Sequence, residues 1–105
     1  MMVTLERLRL EIRGLDEAEL ERWIGTSLVR AEGVVGARLF EEIDVARIRL
    51  IFELRHELEI EEAALPVVLS LMDQLYDLRR RGAQLNAALA DLPADVRQAI
   101  VRRLG

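Results

Sequence analysis

Cysteine is absent from the 105-residue chain. Neither a disulfide framework nor a thiolate metal site can form, as suits a reducing cytoplasm. Basic charge is also short: 15 Lys and Arg stand against 19 Asp and Glu, a net charge of -4. Phosphate binding rests on excess cationic side chains, so this balance argues against a general affinity for nucleic acid and favours a basic partner. No segment approaches the ~18 apolar residues of a membrane span. Met1 to Arg13 alternates charged and apolar residues without an apolar run of signal-peptide length. The expectation is a soluble cytoplasmic protein with no membrane partner.

Catalytic constellations are equally scarce. His56 is the only histidine, and with Glu57 beside it there is no HExxH zinc motif. Ser27 and Ser70 have no histidine nearby in sequence from which a nucleophile arrangement could be drawn. Glu41-Glu42 and Glu61-Glu62 are adjacent acids, which do not converge on one point without a pocket. Gly33 and Gly36 complete neither a Walker nor a dinucleotide glycine pattern, so a turn is the simpler reading. Enzymatic activity, a cofactor, a metal and a small-molecule substrate are therefore not expected.

What the chain does have is one long amphipathic stretch, Glu61 to Leu92. Its seam runs Ala64, Val68, Leu71, Leu75, Leu78, Gly82, Leu85, Leu89, Leu92, an apolar heptad repeat interrupted by one glycine. As a single helix it would measure about 45–50 Å at ~1.5 Å per residue, more than a domain of this size covers with its own chain. In the first half a second row, Leu65, Leu69, Met72 and Tyr76, widens the stripe to what a globular head can bury. In the second half that row becomes Arg79, Ala83, Asn86, Ala90, leaving a narrow seam suited to one partner helix. The expected contact is a homodimeric coiled coil through Leu71, Leu75, Leu78, Gly82, Leu85, Leu89 and Leu92. Gly82 costs about 1 kcal/mol of helix propensity but permits close approach. A hairpin folding back within one chain is the alternative, since Pro93 allows a turn.

The head, residues 1–60, is expected to be mainly helical. Met2 to Thr4 is either a short strand or a lead-in, with Thr4 capping a helix from Leu5 to Arg13 that Gly14 ends. Asp16 and Glu19 have capping-box spacing ahead of a second helix carrying Leu20, Trp23 and Ile24 inward. Two helices joined by a glycine turn form a helix-turn-helix candidate. The second helix, however, offers Asp16, Glu17, Glu19 and Glu21 against a lone Arg22, an arrangement that repels phosphate. Leu28–Arg30 and Ala37–Phe40 bracket the glycines as the strands of a hairpin, the wing of a winged helix. A third helix starts near Asp44 and reaches about Leu58, with Arg49, Glu53, His56 and Glu57 on its wet face and Arg49 placed to pair with Glu53. Glu53, His56 and Glu57, with Glu41 and Glu42 nearby, make the candidate partner surface. Asp73 and Asp77 lie within salt-bridging reach of Arg80 and Arg81. After Pro93, residues 93–105 read as a short helical extension bearing Val96, Ile100 and Leu104 on one side.

Gly36-Ala37-Arg38-Leu39-Phe40-Glu41-Glu42-Ile43-Asp44 resembles the wing-to-helix segment of MerR-type regulators. Leu54-Arg55-His56-Glu57-Leu58 with Leu69-Ser70-Leu71-Met72-Asp73, and Gly14-Leu15-Asp16-Glu17-Ala18-Glu19-Leu20, resemble the chaperone modulator CbpM family of small MerR-like proteins. The likeness spans about Thr4 to Leu89. It implies a MerR-like winged helix-turn-helix head on a dimeric coiled coil. It also implies binding to the J-domain of a DnaJ-like co-chaperone, CbpA, inhibiting its action toward DnaK and limiting its DNA binding. No contact residue is carried over from the family. A MerR-like DNA-binding transcriptional regulator, with Arg30, Arg38 and Arg47 at phosphate, is the competing reading. A plain dimerisation module is a third.

Overall fold

A computed structural model describes all residues, Met1 to Gly105. The chain is mainly helical and divides into two units, Met1–Pro66 and Val67–Gly105. No helix is long and apolar enough to cross a membrane.

The first unit begins with β1 (Val3–Thr4), which runs directly into α1 (Leu5–Glu11). Thr4 caps α1, its Oγ1 accepting from Arg7 N at 3.3 Å. The helix stops two residues short of Arg13, and Gly14 turns the chain at φ +86°. A Cβ at Gly14 would rest 3.5 Å from the Phe52 ring, so the turn also lies close against the third helix. Asp16 caps α2 (Glu17–Gly25) by accepting from Glu19 N at 3.1 Å. As its periodicity demands, α2 buries Leu20 and Trp23 and half-buries Ile24.

The wing differs from the expected hairpin. Leu28–Arg30 is not a strand. Leu28 and Val29 are both buried, whereas neighbours on a strand point to opposite faces, and their N–H groups instead close the end of α2 on the Trp23 carbonyl. β2 (Leu39–Phe40) pairs antiparallel with β1, Val3 opposite Phe40 and Thr4 opposite Leu39. What remains of the hairpin is a single bridge between Glu32 and Leu39. It encloses a turn in which Ala37 N donates to Val34 O at 2.9 Å. Gly36 supplies the positive φ that the third residue of such a turn requires.

α3 (Glu42–Phe52) starts from a reciprocal capping box between Glu41 and Asp44. It buries Val45, Ile48 and Ile51, then widens into a π-helical turn, Glu53–Glu57, closed by Leu58 N on Glu53 O at 3.0 Å. The core of the unit is assembled around Leu8, Leu20, Trp23, Phe40, Ile48, Ile51 and Leu65. Burying one such aliphatic or aromatic side chain is worth about 1.5–3 kcal/mol.

The long helix is shorter than the heptad pattern suggests. A 3₁₀ turn, Glu62–Ala64, precedes α4 (Leu65–Ala90), giving a helix of about 39 Å at ~1.5 Å per residue. Pro66 suits the first turn of a helix, where its missing N–H is no loss. Pro93 forbids continuation, so Leu92 falls in the turn before α5 (Ala94–Leu104) rather than on the helix. Of the second apolar row, Leu65 and Leu69 are buried, Met72 is half-buried, and Tyr76 is exposed.

Within Val67–Gly105, Leu69 is the one buried apolar side chain. Leu71, Leu75, Leu78 and Leu85 stand 48 to 66% exposed along the seam, and Leu89 is half-buried. Nothing approaches Gly82 where a Cβ would project. The short α5 leaves this stripe open, so a fold-back within the chain does not cover it. Arg81 pairs with Asp77 at 3.1 Å on the polar side.

Candidate interaction surface of the head

Charge is distributed unevenly. Met1–Pro66 carries fifteen acidic side chains against nine arginines, and Val67–Gly105 four against six. All the basic side chains of the protein are arginines, which suit fixed, bidentate pairing. In the head several are used that way.

Arg38 lies beside the wing turn. Its Nε and Nη2 donate to the two oxygens of Glu21 at 3.2 and 2.8 Å, while Nη1 donates to the Gly33 carbonyl. The Glu21 hydrogen bonds raise the guanidinium above its ordinary pKa. Arg38 and Glu21 are only 17 and 20% exposed, so this clamp joins α2 to the wing in a partly water-excluded site. A Cβ at Gly33 would collide with the Ala37 carbonyl oxygen, which keeps the Gly33 carbonyl where Arg38 meets it. Arg47 Nε donates to Leu28 O at 2.6 Å, tying α3 to the loop after α2. Arg30 remains exposed.

A second network joins α2 to the end of the head. Glu19 is buried, and its Oε1 lies 2.6 Å from His56 Nε2, a hydrogen bond in which an ionised carboxylate acts as the acceptor. Arg22 lies 3.8 Å from the other Glu19 oxygen and forms a two-bond fork with Glu62, at 3.1 and 3.0 Å. The Arg22 hydrogen bonds hold the Glu62 carboxyl below its ordinary pKa, with smaller help from the Arg22 charge, Trp23 and Arg55. They raise Arg22 in return. Arg55 Nε is buried without a hydrogen-bond partner. Phe52 lies against the His56 ring, centroids 4.7 Å apart.

The residues proposed from sequence as one partner surface fall in two places. Glu53 and Glu57 are exposed on the π turn. His56 belongs to the same turn and is exposed with them, while its Nε2 also meets Glu19. Glu41 and Glu42 sit at the opposite end of α3, ~18 Å along the helix axis from Glu53 at ~1.5 Å per residue. Arg49 pairs with Glu11 at 3.7 Å instead of with Glu53, because α1 brings a carboxylate to the same face. Glu19 departs from the sequence expectation: that reading sets it with Asp16, Glu17 and Glu21 among the acids that α2 offers outward, but, four residues before Trp23, it lies on the buried face. The Arg38–Glu21 and Arg22–Glu62 pairs carry no local signal.

No group of three or more histidine or carboxylate side chains gathers as a metal site. Compared with protein-family models, with characterised proteins and with solved structures, the chain matches none.

Proposed function

We propose that the protein is a chaperone modulator that binds the J-domain of a DnaJ-like co-chaperone of the CbpA type. It blocks the co-chaperone's stimulation of DnaK and limits its DNA binding. The head has a MerR-like winged helix-turn-helix design turned from nucleic acid to protein, and two copies join through the open α4 seam as a coiled coil. The observation that carries this reading is that three of the head's nine arginines, two of them among the three on the wing side, are held by the head's own acids and carbonyls. Arg38 is held by Glu21 and Gly33, Arg47 bonds Leu28, and Arg22 is held by Glu62, so the acidic surplus around them faces outward. An acidic surface competes for a basic face of a partner and steers its approach. Of the wing-side arginines on which a DNA reading would depend, Arg30 alone is exposed.

Calorimetric titration with a recombinant CbpA-type J-domain, using duplex DNA as the control, tests the proposal. Saturable J-domain binding that weakens with salt is expected, with no heat from duplex. Salt-sensitive duplex binding and a silent J-domain would reverse the assignment.

A further inference from the structure

A groove of about 700 Å³ opens where the last turn of α2, the loop after it and the first turn of α3 meet. Ile24 and Ile43 line it with Val29 and Ala31, and its charged lining is Glu32, Glu41 and Asp44 with Arg30. Ile43 is 75% exposed although it sits in the first turn of a core helix. Acids at a helix N-terminus are ordinarily explained by the helix dipole, and that accounts for Glu42 and Asp44. It does not account for Glu32, which belongs to the loop, or for an isoleucine left in water between carboxylates.

The walls are fixed before anything binds. Glu32 exchanges both backbone hydrogen bonds with Leu39, at 2.8 and 2.9 Å, and the Arg47–Leu28 bond pins the loop to α3. A preformed groove saves the ordering cost that a flexible surface incurs on association. Apolar contact beside an acidic rim is complementary to a helix that presents one aliphatic side chain flanked by lysine or arginine. A groove of this volume admits such an anchor.

We infer that this groove is the docking site for a basic helix of the partner, its apolar anchor against Ile43 and Ile24 and its cationic side chains over Glu32 and Glu41. The inference rests on the J-domain reading above. It moves the contact away from Glu53 and Glu57 to the other end of α3.

The full-length protein is titrated with the CbpA-type J-domain, and each variant is first checked by thermal melting. Because Ile43 and Glu32 side chains are exposed, Ile43→Ser and Glu32→Lys keep the fold. Each is expected to weaken binding about tenfold, Glu32→Lys with a shallower salt dependence, while Glu53→Lys with Glu57→Lys stays within about twofold. The groove assignment is overturned, with the J-domain reading intact, if Ile43→Ser and Glu32→Lys bind like the unsubstituted protein. Loss confined to the Glu53/Glu57 variant overturns it in favour of the π turn. If Ile43→Ser shifts the sedimentation of the protein alone, a second copy occupies the groove and the inference falls. Absence of binding by the unsubstituted protein removes both readings together.

Discussion

The two units of the chain solve the burial problem in opposite ways. Met1–Pro66 is acidic and closes its core with side chains from every helix it contains. Val67–Gly105 is slightly basic and leaves a row of leucines in water. Apolar stripes of that regularity are not stable surface decoration. Most of a helix's stability in a protein comes from packing its amphipathic face, and the hydrophobic effect acts on whatever covers it. The difference teaches that the head is understood as a folded unit that covers its own apolar side chains, whereas the tail leaves its stripe uncovered.

Removing the head's largest buried side chain challenges that division most severely. Trp23→Ala should destabilise the head by about 3–5 kcal/mol, read by urea denaturation followed by circular dichroism. If head and tail depend on different burial, sedimentation at moderate urea should still report the proposed dimer when head structure is lost. Simultaneous loss of both would show one cooperative unit. The converse experiment acts on the tail. Leu78→Ala with Leu85→Ala should weaken the dimer by about 2–3 kcal/mol per side chain and leave the head's melting temperature in place. An unchanged sedimentation profile would mean that the seam is covered by something other than a second copy.

The smallest effect concerns acid. Glu62 has a depressed carboxyl pKa in the folded head, so the unfolded chain takes up a proton there first. Its contribution is fully present above the ordinary carboxylate range and is lost as pH falls through the lower folded value. Arg22→Ala should therefore make the head's melting temperature less steeply dependent on pH below that range. Because the pair is substantially exposed, the change is modest and shrinks in high salt. An identical acid limb in the variant would show that the fork is immaterial to head stability.

The features legible in the sequence are those written within a few residues. Thr4 and Asp16 cap the helices they precede, Gly14 turns the chain after α1, and the α4 seam is visible as a period. The features that were not legible join distant positions. β1 pairs with β2 across the whole of α1 and α2. A local reading of Leu28–Arg30 as a strand yielded because the core needed both Leu28 and Val29. The candidate surface is divided for a similar reason: Glu41 and Glu42 lie at the other end of α3 from Glu53, and the π turn lets His56 also reach the buried Glu19. Ile43 carried no periodic signal at all, being an apolar residue that the fold leaves outside.

The widened turn at Glu53–Glu57 has a bearing on how this chain tolerates insertion and deletion. Each residue of a regular helix advances the next by about 100°. Excising one residue from the turn would remove the wide closure of Leu58 N on Glu53 O and shift the register of the residues it holds. His56 would lose Glu19, and Leu65 would no longer arrive at the seat it fills. Chain length in this short segment is thus under tighter constraint than the identity of most of its exposed side chains.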